Sequence, residues 1–445
     1  MTQYRRLTIF VALLLTACGG STVTDTPDPV TPVDTTKPPT TVQRASVTTH
    51  VTIDPADASL AQKAGIGVSG LTVRLTSSRA GDPVRTAVTG ADGTARFDNL
   101  LEASYTASVE RTLTSDEVQR LPVADRGASV FAGGGVVVLS PPLSRTVELA
   151  LVGARRGSVV ISEIFGYYGP LGTGTNNYLY GSYVEFYNNA DTTAYLDGML
   201  FLSTASWSNS IASIGGPACD QSPRTARLDS AAVYAASIIG FPGSGREYPI
   251  RPGEAKVMAM DAINHIAAAP EKEQVDLSHA QFEQFWSDAD TDNPESANML
   301  RVYGGSPGVF GRGLSYATAG VQHVLLSAAA RSRLTEAVVP YCPQSGECRP
   351  ETFARLPSEY ILDLIATEYD PTVSATSGGG YPLCEPWTSP AYDRAPAPLV
   401  YTVRRKAIAR KSLGRTAAGN EILQRTKNSA RDLELAEPLR RSLSK

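Results

Sequence analysis

From about residue 46 onward the chain repeats one pattern: short apolar runs, each cut off by a turn rich in Gly, Pro, Asn or Asp. Val68, Leu71, Val73 and Leu75 largely alternate with polar or small residues, which is the period of a half-buried strand. Gly90-Ala91-Asp92-Gly93 supplies a tight turn, Thr94-Ala95-Arg96-Phe97 starts the next strand, and Tyr105-Thr106-Ala107-Ser108-Val109 follows. Val159–Phe165, Tyr183–Asn189 and Leu196–Leu202 are further runs of strand length, and Ile250-Arg251-Pro252-Gly253-Glu254 makes a turn before Lys256–Met260. These features predict an all-β protein, with a small all-β domain over about residues 46–152 and a further strand-rich part from about Arg155. A hydrophobic content of 42% over 445 residues is ample for packed cores of that size.

The N-terminus has a different logic. Arg5 and Arg6 precede an apolar run, Leu7 to Leu15, too short to span a bilayer, so residues 1–17 read as an export signal. It ends in Leu15-Thr16-Ala17-Cys18, the small-residue pattern of a lipobox. A cysteine is needed after the cut because its thiolate takes the diacylglyceryl chain, and several acyl chains on one residue hold a protein stably at a membrane. Gly19, where an aspartate would retain the protein at the inner membrane, leaves the outer membrane as the expected location. Residues 18–45, rich in Thr, Pro and Asp, read as an extended tether reaching up to roughly 80 Å from the lipid.

Loss of Arg5 and Arg6 with the signal takes the net charge from −4 to −6, which argues against a nucleic-acid partner. Beyond Cys18 the chain has Cys219, Cys342, Cys348 and Cys384, an even number in an oxidising compartment, so two disulfides are expected. Three pairings exist. The turn-forming loop between Cys342 and Cys348 favours a local bridge, leaving Cys219 for Cys384. A zinc site lacks its usual C-x₂-C pair.

Several groups could carry chemistry. Glu163 and Glu185 each sit inside an apolar strand and could act as acid and base, or be held by backbone or a basic residue at the sandwich edge. Asp288, Asp290 and Asp292 have a spacing that gathers oxygen ligands for calcium, but Asn293 and Met299 occupy the glycine and glutamate positions of an EF-hand loop. His265 and His279 follow no metal-binding spacing, and no G-x-S-x-G elbow is present. Tyr167, Tyr168, Tyr178 and Tyr180, followed by Tyr183 and Tyr187, crowd a Gly/Asn-rich stretch that could offer aromatic faces to a glycan or peptide, or pack across a sheet. A basic run from Arg404 (Arg405, Lys406, Arg410, Lys411, Arg415) reads as a solvated face, with contact to acidic lipopolysaccharide or a receptor as the sharper alternative.

Three resemblances add to this. The run Gly70–Leu75, the turn around Gly90–Gly93 and the strand at Tyr105 resemble the carboxypeptidase regulatory-like, transthyretin-like sandwich, a common spacer in exported proteins; Ala103-Ser104 stand where that family usually has a glycine before the tyrosine. Ile161-Ser162-Glu163-Ile164, Val184-Glu185-Phe186-Tyr187-Asn188, Asp197-Gly198 and Pro252-Gly253-Glu254 resemble the lamin-tail domain, an immunoglobulin-like sandwich that is not itself catalytic. Asp261–His265, Asp276–Glu283 and Leu423–Ser429 resemble an uncharacterised family, domain of unknown function 4876, across about residues 155–435. Its members are exported lipoproteins, often encoded beside TonB-dependent outer-membrane receptors. Arg425 and Lys427 stand where the family pattern has Asp and Asn.

Together these imply a non-catalytic outer-membrane lipoprotein that binds an extracellular ligand or assembles with a TonB-dependent receptor. It needs no cofactor unless calcium binds. A secreted hydrolase such as a nuclease, carrying a lamin-tail module, and a purely structural envelope protein are the alternatives.

Overall fold

Alternating burial builds the first sheet. In β1 (Ala45–Ile53), Val47 and Val51 point inward while Thr48, His50 and Thr52 face out or sit half-buried. β2 (Thr72–Ser77), β3 (Arg85–Val88), β4 (Thr94–Leu100), β5 (Ala103–Thr112), β6 (Val130–Leu139) and β7 (Arg145–Ala154) follow, and the seven strands join in the order β3-β2-β5-β6-β7-β1-β4. The computed structural model describes residues 42–122, 128–157, 159–166, 180–203, 231–235, 237–270, 275–285, 292–304, 321–341, 349–369, 393–399 and 406–442.

The β6–β7 pairing covers only Val130–Ala132 against Val152–Ala154. The sheet folds over at this short seam. Val47, Val51, Phe97 and Leu149 of one leaf then meet Val73, Leu75, Val109 and Phe131 of the other in one core. Burying each such side chain is worth roughly 1.5–3 kcal/mol. The Ser115–Arg120 helix starts at a capping box in which Thr114 and Glu117 satisfy each other's backbone N–H groups.

The remaining described strands make two large sheets and smaller ones. A seven-stranded sheet holds Val159–Phe165, Tyr183–Asn188 and Ala255–Ala259 at its centre, flanked by Phe282–Glu283 and Ala297–Asn298 on one side and Ala407–Arg410 and Leu433–Ala436 on the other. A six-stranded sheet contains Leu300–Tyr303, Ile238–Gly240, Leu200–Ser203, Val321–Leu326, Ile361–Tyr369 and Ala397–Leu399. Ile161, Val184, Phe186 and Met258 from the first pack on Phe201, Ile239, Leu325 and Ile365 from the second, so this is a sandwich. The protein is all-β, as its pattern predicts. The second sandwich carries more than the sequence pattern implied. A third sheet of Ala232–Ala235, Arg349–Pro357 and Thr335–Tyr341 covers the six-stranded sheet's other face, where Leu202, Val324 and Leu364 meet Val233, Ala354 and Leu356.

The two sandwiches are clamped together. Leu413 and Ile422, on a hairpin of the second, pack on Val130, Ala132, Val152 and Ala154. Arg431 reaches across to Asp54 at 2.9 Å and Asp57 at 2.6 Å, and Arg156 pairs with both Glu110 and Asp191. All these contacts lie at the Ile53 end of β1. The chain enters at the opposite end, where Ala45 pairs with Leu100 and the Ser46 N–H donates to Ser144.

Candidate functional site

A cleft of about 370 Å³ opens at the edge of the seven-stranded sheet, and its lining includes Glu247, Tyr248, Arg251, Glu254, Lys256, Gln281, Glu295 and Ala297. Its size falls in the range of small-ligand sites. Two local structures shape it. The first is the loop carrying Glu247 and Tyr248, pinned by Asp197, whose carboxylate accepts the N–H groups of Gly245, Glu247 and Tyr248 at 3.2, 2.8 and 3.0 Å. Burial pushes the Asp197 carboxyl up, but these three donors outweigh it and hold it below the usual value.

The second is the Arg251-Pro252-Gly253-Glu254 turn. Pro252 presets its backbone, and Gly253 has φ +76, as the third position of a type II turn requires. The Glu254 N–H donates to the Arg251 carbonyl at 2.9 Å, while the Arg251 N–H donates back to the Glu254 carboxylate at 2.7 Å. Lys256 adds an ion pair to Glu254 at 2.7 Å. Burial raises the Glu254 pKa, but the Arg251 N–H and Lys256 outweigh it and keep the group ionised. Tyr248, half-buried, tilts against Phe282 with ring centroids 5.2 Å apart. Gln281 is fixed at both ends, accepting from the Val257 N–H at 2.8 Å and donating to the His279 carbonyl at 2.8 Å. The cleft therefore offers a partly exposed aromatic ring, charges of both signs and a rigid amide.

The strand acids sit elsewhere. Glu163 and Glu185 are directly opposed across the Val159–Phe165 and Tyr183–Asn188 pair, on the face turned away from the core between the large sheets. Both are fully buried beneath the chain's last described residues. Glu163 accepts from the Tyr183 hydroxyl and from the Leu439 N–H, and Glu185 accepts from Ser162 at 2.8 Å. Burial, with Glu185 opposite, pushes Glu163 up to about 7; burial raises Glu185 too, opposed by Arg441. The pair is sealed from solvent. Ser203 and His323 also face each other at 3.0 Å, buried inside the six-stranded sheet, with the His323 ring stacked on Phe201.

The other candidate residues scatter. Tyr180 is half-buried and packs against the sandwich core, and Tyr183 and Tyr187 are buried in the sheet. Tyr167, Tyr168 and Tyr178 lie outside the described residues, as do Cys18, Cys219, Cys342, Cys348, Cys384, Asp288 and Asp290. Asp292 is exposed and accepts from Asn298 at 3.0 Å. Among the described residues, no group of three or more His, Cys, Asp or Glu is placed to hold a metal, and no helix is long and apolar enough to cross a membrane. His265 is buried, its Nε2 donating to the Asp261 carbonyl at 2.8 Å, and burial lowers its pKa.

Of the basic run, Arg404 and Arg405 lie outside the described residues and Arg415 is exposed, but Arg410 departs from the solvated face expected for the run. Arg410 is fully buried, because its strand is covered on both sides, and its guanidinium is wholly committed. It donates to the carbonyls of Ile161, Gln424 and Leu364 and to the carboxylates of Asp363 and Asp432. Arg425 joins it on Asp363 at 2.9 Å. The neighbouring Leu423–Ser429 segment is a structural knot. Thr426 donates its N–H and hydroxyl to Asp432, Asn428 caps a short helix, and Ser429 donates to Asp393. Burial pushes Asp393 up to about 6 despite those donors.

Residues 251–439 match the family model described as Protein of unknown function (DUF4876). The match begins at the cleft's Arg251 turn and ends at Leu439 over the Glu163–Glu185 pair. A DUF4876 family protein of known crystal structure from Bacteroides thetaiotaomicron is similar at 17% identity over 88% of this chain and 94% of that one, with a TM-score of 0.46. A DUF3823 family protein from Parabacteroides merdae aligns over 37% of this chain and 67% of its own at 11% identity and a TM-score of 0.17. A Bacteroides uniformis protein proposed to bind carbohydrate aligns over 70% of this chain and 96% of its own at 8% identity and a TM-score of 0.15. No curated protein matches the chain. Of the cleft residues, sequence reasoning found only the Pro-Gly-Glu turn and the Asp276–Glu283 motif. Tyr248, Lys256 and Glu295 come from separate strands and loops with no spacing to link them.

Proposed function

We propose that the protein is a non-catalytic, lipid-anchored outer-membrane protein that captures an extracellular glycan in the cleft beside Tyr248. The observation that carries this reading is the cleft's composition: a partly exposed ring seated on Phe282, with Arg251, Lys256, Glu247, Glu254, Glu295 and Gln281 around it. A sugar is apolar on its ring faces and bears hydroxyls that both donate and accept, so it suits an aromatic ring bordered by charges of both signs. An ionic ligand would meet like charge on some part of this rim.

Non-catalysis is supported by where the perturbed acids lie. An acid–base pair must reach its substrate, and Glu163 and Glu185 are sealed. Glu254, inside the cleft, is held ionised by its partners and is a poor general acid. Anchoring rests on Arg5, Arg6, the apolar run and Cys18, and a TonB-dependent receptor is the partner that the family resemblance implies.

The test is a glycan array followed by calorimetry on the best binder, with Arg251→Ala and Glu295→Gln as exposed rim variants. We expect each variant to weaken binding about tenfold, equivalent to about 1.4 kcal/mol. Absence of any glycan binding tighter than about 1 mM, or binding indifferent to both variants, would overturn the reading.

A further inference from the structure

We propose that β1 and β7 form a mechanical clamp, the element that carries tension between the chain's N-terminal side and the second sandwich. Among the described residues β1 is the first strand, and β7 is the last before the second sandwich begins at Val159. The two are neighbours and run parallel, paired residue for residue from Val47–Arg145 to Ile53–Leu151.

That direction decides how the ladder meets force. A pull on Gln43 draws β1 backwards along its axis, while a pull from the second sandwich draws β7 forwards past Ala154. The strands are then asked to slide lengthwise, and every ladder hydrogen bond is strained at once. Were the two ends pulled apart sideways, the bonds would break one after another. β1 is also held on its far side by β4, from Ala45–Leu100 to His50–Thr94. A slip of one residue would turn Val47 and Val51 out of the core, so no short slide offers a new resting position.

The docking contacts do not bypass β1; the Arg431 pairs hold its far end, just past Ile53, in parallel with the ladder to β7. Arg431 with Asp54 and Asp57, Arg156 with Glu110, and the Leu413–Ile422 hairpin all grip the end of the first sandwich remote from Ala45. β1 spans the distance between the two ends, about 30 Å for a strand of this length. Tension entering at Gln43 must therefore cross the whole first sandwich. The source of that tension rests on the anchored, ligand-binding reading above; the resistance of the clamp does not.

Single-molecule force spectroscopy on the full chain tests this, with handles clicked onto azide-bearing side chains. One pair of handles sits at Val42 and Ile266, both exposed, and loads β1 against β7 lengthwise. The other sits at Val42 and Leu143, also exposed, and unzips the same ladder from one end. We expect the lengthwise geometry to need at least about twice the force, because its ladder bonds share the load. Its main event should lengthen the chain by about 35 nm, the span of the roughly 110 residues of the first sandwich. Equal forces in the two geometries, or rupture of the second sandwich first in the lengthwise pull, would overturn the proposal. Loss of glycan binding in the rim variants leaves these forces unchanged, so the two readings fail separately.

Discussion

Glu163 and Glu185 stand directly opposite each other on adjacent strands, both fully buried, and each keeps one carboxylate oxygen without a hydrogen-bond partner. Like charges so placed are destabilising, and the pair escapes this by holding a proton. Arg441, ion-paired with Glu421 at 2.7 Å, lies near enough to favour ionisation of both.

The first prediction is a pH dependence of stability. An unperturbed Glu163 ionises near 4.5, whereas in the folded protein burial and Glu185 hold its proton to about 7. The folded state thus binds more protons than the unfolded chain between these values. This contribution is complete below about pH 4.5 and is lost as pH rises to about 7, on the order of 3 kcal/mol in all. Glu163→Gln keeps an acceptor for Tyr183 and Leu439 and removes its own titration, so its urea midpoint should fall less than wild type's across that window, with Glu185 and Asp393 still titrating, and exceed wild type at pH 8. A wild-type midpoint that rises between pH 5 and 7 would count against a proton held on Glu163.

How much of this was legible follows from what strands encode. The runs at Val159, Tyr183 and Leu200 announced themselves because alternation and apolar content are local properties. That Glu163 would face Glu185 depends on a bulge between Ile161 and Glu163, which shifts the register and leaves no mark in composition. Arg410 misled for a related reason. Its neighbours Arg405, Lys406 and Lys411 make a charge run in sequence, but Ala407–Arg410 is a strand covered on both faces, and only the distant Asp363 and Asp432 make burial tolerable. The cleft is assembled from loops and strand ends spread from Leu196 to Ala297. No periodicity can signal that.

Arg410 supports the second prediction. Removing one member of a buried ion pair leaves the others uncompensated, at a cost of about 3–5 kcal/mol. Arg410→Met fills similar volume but strips Asp432 of its cation and leaves Asp363 with Arg425 alone, and should lower the guanidinium midpoint accordingly. A loss below about 1 kcal/mol would mean that the two carboxylates find other partners or water.

Lys427 should be improvable. Its φ is +58, a left-handed conformation that a lysine adopts at a cost and an asparagine tolerates well. Lys427→Asn is expected to stabilise the protein by about 0.5–1 kcal/mol in equilibrium denaturation, with no change at the cleft. A destabilised variant would show that the lysine side chain contributes more than its backbone strain costs.

The junction between the sandwiches is set by two glycines. A Cβ on Gly134 of β6 would lie 2.8 Å from both the Cα and the N of Gly414, a backbone contact that cannot swing aside. Gly134 has no left-handed φ, so alanine there suits the strand itself, and any penalty must come from the junction. Gly134→Ala should therefore loosen the docking of the hairpin around Leu413 on β6 at a cost of about 1–3 kcal/mol. Calorimetry should show one transition for wild type and two for the variant, the first sandwich melting apart from the second. Gly67→Ala, where a Cβ meets nothing within 4 Å, is the matched control and should leave one transition. If Gly134→Ala also melts in one step at the wild-type temperature, the glycine contact does not set the junction. The coupling would then rest on Arg431 with Asp54 and Asp57, and on Arg156 with Glu110.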